Sequence, residues 1–474
     1  MAIITSIPTS LKRPGSFHTF LHTQAGRGLL PLPLRIALVG IRGASGTAPT
    51  GQPIQIFDAL DGDAKLGRGS ELALMVRAAF AQARLQGTNP EIWAVPMSEP
   101  NAGASTTQTA TVTASSPSAG NLVLSIAGRI LVVGVSSTDT ASTIATAIKA
   151  EADRQKADLP VTATVAAGVV TFTHVNKGEN GNDVVYSVVS VPSGVTVTLA
   201  QGTAGSGTVD VTTSLDALLD KQYDGIALAN HKAADVTDAT AHTAAAWGPG
   251  EKKYRWVFLG ERGTLATGTS LASANDKTVV VISCEDSPAL PCEIAAVAVV
   301  RAFGVEKPNA NYDGVRLALP PPAAASAYTA PEVESALAGG ATPLTPTSDG
   351  LGVKIERLVT TKTKENDAPF EALGDLAFSR TAAFLARQID AAYSTRFQQE
   401  TLDGRGDVLA RIRDMVIEIH RAAETAGYIR DVDSFIDQIL VEEASSPVGR
   451  VLVVAPFRVA SPLHQAVFLH HHYL

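Results

Sequence analysis

Cysteine is nearly absent: the 474 residues contain two, Cys284 and Cys292. Two thiols exclude a disulfide framework and a four-cysteine zinc site. Aromatic residues are scarce as well, 5% of the chain against 45% hydrophobic, so small side chains, chiefly Ala and Val, must fill the core. No long apolar run exists. The most apolar stretch, Leu290–Val300, is broken by Pro291, Cys292 and Glu293 and is too short to span a bilayer. Net positive charge is missing too. With 38 basic and 46 acidic side chains the chain carries −8, which argues against a nucleic-acid coat, because phosphate neutralisation needs clustered Lys and Arg. Met1–Gly15 holds no continuous apolar segment, so no secretory signal is expected and the chain reads as soluble and made inside the cell. The length itself predicts two to four domains.

The residues that are present divide unevenly. Between residues 104 and 210 only 12 charged side chains occur, in a stretch dense in Thr, Ser, Val and Gly. Leu122–Val133 reads as two strands joined at Ala127-Gly128, Asp139–Ala150 as a short helix, and four further β-rich runs follow between Gly and Pro-Ser-Gly turns. Low-complexity runs at Asn101–Ser105 and Gly202–Gly207 bound this region. The pattern predicts a β-rich domain, residues 104–208, inserted through two flexible edges into a loop of another domain.

The flanks, residues 29–103 and 209–325, join into one alternating series. Strands are expected at Leu34–Val39, Glu91–Val95, Gly225–Ala229, Tyr254–Leu259 and Thr278–Ser283. Helices are expected at Ser70–Leu85, Ser214–Leu219, Asp235–Trp247, Thr264–Ala274 and Leu290–Phe303. Buried strands alternating with helices predict a mostly parallel α/β sheet. Leu319-Pro-Pro-Pro-Ala-Ala-Ala closes that unit stiffly, and residues 326–350 are an expected linker. Residues 351–460 form a charged α+β block with long helices at Pro369–Leu402 and Asp407–Ala426, and an apolar strand at Arg450–Ala455. Residues 1–28, with Pro8 and Pro14, and residues 461–474 read as arms. A terminal apolar strand either completes its own domain's sheet or pairs with another subunit.

Catalytic patterns are fragmentary. Gly268-Thr-Ser-Leu-Ala resembles the serine segment of subtilisin-like proteases, and Asp224 and His242 precede Ser270 in that family's order. However, His242 lies in Ala-His-Thr-Ala-Ala rather than His-Gly-Thr, and only 28 residues separate it from Ser270. Gly40-Ile-Arg-Gly-Ala-Ser-Gly46 has the wrong glycine spacing for a dinucleotide loop, and no Gly-x-x-x-x-Gly-Lys-Ser/Thr occurs. His470-His-His472 lies on a predicted strand, where neighbours point to opposite faces, so no metal site is expected there. Arg405-Gly-Asp407 reads as a turn placing an acid at a helix start. Catalytic, cofactor-binding and metal-ligating residues are all expected to be absent.

Several separated segments are similar to one family. Phe57-Asp-Ala-Leu, Leu66-Gly-Arg-Gly-Ser-Glu-Leu-Ala-Leu-Met-Val-Arg and Glu91-Ile-Trp-Ala-Val-Pro-Met resemble the N-terminal region of Mu-like contractile-tail sheath proteins of bacteriophages. So do Asn176-Lys-Gly-Glu-Asn-Gly-Asn-Asp in the insert and the ending Val451-Leu-Val-Val-Ala-Pro-Phe with Gln465-Ala-Val-Phe-Leu. The resemblance implies a subtilisin-like α/β core without its triad and a subunit of six-membered rings stacked helically around a tail tube. It further implies contacts with baseplate and tail terminator proteins, with no direct nucleic-acid contact and no membrane insertion. Such a protein belongs to the virion and assembles in the host cytoplasm. Its arms add strands to neighbouring subunits, which assigns Phe17, Phe20, Leu21, Val451, Val453, Val467, Phe468 and Leu469 to subunit interfaces and Gly26, Gly28 and Gly449 to hinges. Two other readings stay open: a subtilisin-like hydrolase resting on Asp224, His242 and Ser270, and the sheath of a non-phage contractile injection system.

Overall fold

The computed structural model describes residues 29, 34–366, 368–369, 374–398, 400–402, 406–446 and 449–464. The chain divides into two compact units, Pro33–Ala383 with Ser461–Leu474, and Met1–Leu32 with Phe384–Ala460. The assigned arm residues Phe17, Phe20, Leu21, Val467, Phe468 and Leu469, the hinge candidates Gly26 and Gly28, and the three histidines at 470–472 lie outside the described residues.

The larger unit is built on a nine-stranded sheet. In chain order its first elements are β1 (Arg35–Ile41), β2 (Ile54–Ile56), α1 (Ala59–Leu66), α2 (Glu71–Gln86) and β3 (Glu91–Met97). After residues 104–206 come α4 (Thr212–Asp216), β11 (Gly225–Leu228), α5 (Ala233–Ala246), β12 (Trp256–Glu261), α6 (Leu265–Leu271), β13 (Val279–Ser283) and α7 (Pro291–Phe303). Then follow β14 (Arg316–Leu317), α8 (Ala330–Ala338), β15 (Ala341–Pro346) and β16 (Val353–Ile355). The spatial order is β14-β16-β15-β13-β12-β11-β1-β3-β2, and the run from β15 to β3 is parallel throughout. Alternate residues enter opposite cores. Ile36 and Leu38 of β1 and Trp256 and Phe258 of β12 join the cluster containing α2 and α7. Ala37, Val39, Val257 and Leu259 join the cluster of α4 and α5. Strands covered on both faces have no polar side to show, which is why they read as unbroken apolar runs.

Helix α7 sits deepest, with all of its side chains buried, packed on α2 and on β11 and β12. Two glycines make room for it. A Cβ on Gly225 would lie 2.4 Å from Val299 Cγ2, and one on Gly260 only 2.1 Å from the Pro291 carbonyl oxygen. The Ala and Val content of α7 and these bare positions let helix and sheet approach closely, so the core needs few aromatics.

Residues 104–206 fold as two antiparallel sheets. The strands are β4 (Thr107–Ala114), β5 (Gly120–Ile126), β6 (Arg129–Val135), β7 (Val161–Ala166), β8 (Val169–His174), β9 (Tyr186–Ser190) and β10 (Val195–Gln201), with α3 (Ala141–Arg154) after β6. They pair as β10-β4-β8-β7 and β6-β5-β9. Thr140 caps α3 by accepting from Thr143 N, and Ile144 and Ile148 are buried on its inner face.

Four expectations need correction. Residues 326–350 are no linker: α8 and β15 lie there, and β15 pairs in parallel with β13 inside the main sheet. Residues 351–383 belong to the larger unit rather than to a C-terminal block, since β16 continues that sheet antiparallel to β15. The long helix begins at Leu376 and ends at Arg396, after a short hairpin of β17 (Lys364–Glu365) and β18 (Ala368–Pro369). The low-complexity edges of residues 104–208 are stitched, not flexible. Ala104 N donates to Ser206 O and Ser206 N to Ala104 O, each at 3.1 Å. Asn182 accepts from Gly205 N at 2.7 Å and from Thr106 Oγ1 at 2.9 Å, and its Nδ2 donates to Gly205 O at 3.0 Å. A Cβ on Gly205 would fall 2.3 Å from Gly178 O, so glycine there serves close approach.

The smaller unit holds the later turns of α9 (Leu376–Arg396), α10 (Asp407–Thr425), and the strand pairs β19 (Ile429–Arg430) with β22 (Arg458–Val459) and β20 (Leu440–Glu443) with β21 (Val451–Val454). Val408, Ile412, Met415, Ile419 and Ala423 form the buried stripe of α10.

Asn182→Ala removes three hydrogen bonds at a closed seam, and we expect it to cost about 1–3 kcal/mol. Limited proteolysis should then cut within 101–107 or 202–207 several-fold faster than in the wild type.

Candidate functional site: an assembly face and a buried seam

The three residues of the hydrolase reading have separate partners. Asp224, buried before β11, accepts from Arg35 N at 2.9 Å and from Gln222 Nε2 at 3.4 Å. His242, buried on α5, places Nε2 3.2 Å from the Arg255 guanidinium. Burial, with Arg255 adding to it, pushes its pKa down to about 3, so the ring is neutral and faces a cation. Ser270 is exposed on α6. Gly268, in the same segment, packs against Ser283, where a Cβ would lie 2.6 Å from Oγ. No Ser–His–Asp chain of hydrogen bonds forms. Cys284 and Cys292 are buried free thiols, the former pushed up to about 12 and the latter also raised, so neither is a ready nucleophile.

Open α/β sheets bind ligands where the strand order reverses. Here β3 lies on one side of β1 and β11 on the other, and a cavity of about 290 Å³ opens at their carboxyl ends. Asn180, Asn230, Lys232 and Asp235 line it, but most of their polar atoms are turned toward one another. Asn180 Nδ2 donates to Asn230 Oδ1 at 3.2 Å, Asn230 Nδ2 to Asp235 Oδ1 at 3.1 Å, and Lys232 N to Asp235 Oδ2 at 2.8 Å. Among the described residues no group of His, Cys, Asp and Glu could hold a metal ion.

The groups behind the cavity make a seam. Asn176 Oδ1 accepts from Glu71 N at 2.9 Å, and Asn176 Nδ2 donates to Arg42 O at 2.9 Å. Asn180 Nδ2 also reaches Glu71 Oε2 at 3.3 Å, and His231 Nε2 lies 3.4 Å from Asp183 Oδ2. Residues 176–183 are thus the bolt between residues 104–206 and the main sheet. A second bolt is the pair of Arg129 on β6 with Glu293 on α7, which is almost wholly buried on the acid's side. Glu71 is 2% exposed, and burial raises its pKa to about 7.

The smaller unit presents a different surface. In the β20–β21 hairpin, Val441 faces Val453 and Glu443 faces Val451 on one side, while Leu440 faces Val454 and Glu442 faces Leu452 on the other. Val441 and Val451 pack on the α10 core. Leu440, Leu452 and Val454 are 51%, 46% and 57% exposed. An exposed apolar strand pair of this kind is a template for another chain. Of the assigned interface residues, then, Val451 turns half inward and Val453 is exposed. Gly449, at φ 83°, stands in the turn between the two strands with no atom within 4 Å of a built Cβ. Gly406, also at positive φ, precedes Asp407, the first residue of α10.

No family model matches the chain. A Mu-like prophage FluMu tail sheath protein of Haemophilus influenzae is 26% identical over 473 residues, covering 95% of this chain and 95% of that protein. The chain is thus similar, along nearly its whole length, to a Mu-like tail sheath protein. The sheath tail protein Lin1278 of Listeria innocua has the same fold, with a TM-score of 0.54 at 13% identity over 92% of this chain and 94% of that one. The helical sheath of the anti-feeding prophage in its contracted state matches with a TM-score of 0.50 at 10% identity, over 98% and 99% of the two chains.

The sequence did not disclose Glu71, Arg129 or His464 as special. Glu71 has one weak signal, an acid opening a helix and followed by five apolar residues, Leu72-Ala-Leu-Met-Val76. The folded chain holds the Glu71 proton more tightly than the unfolded chain does. Stability therefore falls as pH rises from about 4.5 to about 7, because the unfolded state releases that proton first. Glu71→Gln should remove this part of the pH dependence, as read by urea melts between pH 4.5 and 8. The same change of stability through this window in the wild type and in Glu71→Gln would contradict the assignment.

Proposed function

We propose that this chain is the structural subunit of a phage contractile tail sheath, polymerising as stacked six-membered rings around a tail tube and contracting to drive the tube through the host envelope. The observation that carries the reading is likeness along the whole length to a Mu-like tail sheath protein, not to one domain of it. In this reading the parallel sheet is a subtilisin-like core without catalytic use, which suits the separate partners of Asp224 and His242. Residues 104–208 face outward, where added mass leaves the lattice undisturbed. The arms, with Phe17, Phe20, Leu21, Val467, Phe468 and Leu469, add strands to neighbouring subunits, and Leu440, Leu452 and Val454 supply an apolar face beside which such a strand gains affinity from backbone bonds and register from alternate side chains. Gly26, Gly28 and Gly449 are the hinges that absorb rotation. Tube, baseplate and terminator proteins are its partners, and the virion tail is its place. Contraction needs no nucleotide, since it runs downhill from a metastable lattice to a tighter one. The match to a contracted sheath of the anti-feeding prophage favours one second reading, a non-phage contractile injection system with the same subunit mechanics.

A chain ending at His464 loses residues 465–474 and is expected to form no tubes in negative-stain electron microscopy. Leu452→Asp, on the exposed hairpin face, is expected to reduce tubes at least ten-fold while changing monomer stability by less than about 0.5 kcal/mol. Normal tubes from both variants would refute the arm and hairpin roles.

A further inference from the structure

The last described residues are fastened to their own unit chiefly through His464. His464 lies between two carboxylates, its Nδ1 2.6 Å from Asp313 Oδ2 and its Nε2 2.7 Å from Asp375 Oδ2. Both carboxylate oxygens are acceptors, so filling both contacts requires a proton on each ring nitrogen, which is the imidazolium. The two acids come from different places. Asp313 follows α7 in the loop to β14, and Asp375 immediately precedes α9, where its Oδ1 accepts from Ala377 N at 2.9 Å. Asp375 is 2% exposed and has a second cation at longer range, Arg357 Nη2 at 3.6 Å. The backbone next to the histidine is also held: Asn311 Nδ2 donates to Leu463 O at 3.0 Å. Because the acids grip opposite edges of the ring, they do not converge on a metal, and none of the described groups forms such a cluster.

We propose that His464 is a protonation-dependent pin that moors the chain's C-terminal segment to its own larger unit, fixing where residues 465–474 leave it. In the charged state the pin closes a three-point tie between the loop after α7, the head of α9 and the C-terminal segment. Loss of the proton leaves one ring nitrogen as an acceptor facing a carboxylate, and the two acids then face each other without their shared cation. Arg357 compensates Asp375 only from 3.6 Å, and among the described residues His464 is the cation paired with Asp313. The hydrogen bond to Asp375 is the main reason the His464 pKa rises above its usual value, with Asp313 adding to it against the cost of burial. The sign follows. The tie is complete below the ordinary histidine pKa and is lost as pH rises through the elevated value. The inference concerns one chain and does not depend on the sheath reading.

The test places a nitroxide on the full-length, unpolymerised chain at Ser461→Cys, an exposed position, while the native Cys284 and Cys292 remain buried. Wild type should give an immobilised spectrum at pH 6 and a several-fold shorter correlation time at pH 9. His464→Gln should be mobile at both values, and His464→Arg, which keeps its charge, immobilised at both. Circular dichroism checks that each variant folds. A wild-type spectrum unchanged between pH 6 and pH 9, or a His464→Gln spectrum matching wild type at pH 6, overturns the proposal. Polymerisation is not read in this experiment, so its failure leaves the sheath reading intact and the reverse also holds.

Discussion

The larger unit depends on one contact, the seating of α7 against the parallel sheet. A helix in which seven of thirteen residues are Ala or Val reaches the strands because Gly225 and Gly260 offer no side chain, and α2 packs against it. Close packing over that area replaces the aromatic mass the chain lacks. The same helix carries Glu293, which both accepts from Leu290 N at its own start and holds Arg129 of the β-rich region. It also ends where Arg380 of α9 donates to Ala302 O at 2.7 Å. Three parts of the chain are therefore indexed to one buried helix.

That arrangement makes residues 104–206 a fixed part of the larger unit rather than a tethered passenger. The seam at Asn176, Asn180 and Asn182 is polar, and directional bonds define position more narrowly than an apolar contact of equal area. The cost is visible in Glu71, whose carboxyl is held near neutrality in pKa because the seam leaves it little water. The turn at Gly449 is open by contrast, with room for a side chain.

Much of this was legible in sequence, and the reasons for success and failure are specific. Strands β1, β11, β12 and β13 are buried on both faces, so their continuous apolar runs were unambiguous. Helices α2, α3, α7 and α10 carried either capping residues or a clear stripe. Strand β4 was missed because Thr107–Ala114 alternates Thr with small residues and looks like low complexity. Ala341–Pro346 was assigned to a linker after the proline run at Leu319, although Pro343 stands opposite Ser283 of β13 and Pro346 opposite Val353 of β16. The glycine-rich edges misled because glycine serves both flexibility and close approach, and only the neighbouring atoms tell which. The ionic features were invisible for a different reason. His464 and Asp313 are 151 residues apart, and nothing local marks such a pair.

The central claim is that this chain is a lattice subunit whose terminal segment completes a neighbour's sheet. The direct measurement is a cryo-electron microscopy reconstruction of tubes grown from the full-length chain alone. The account predicts stacked rings of six chains in which residues 465–474 of one chain lie as a strand against another chain's sheet. Tubes in which those residues fold back on their own chain, or a chain that stays monomeric under all polymerising conditions, would contradict it.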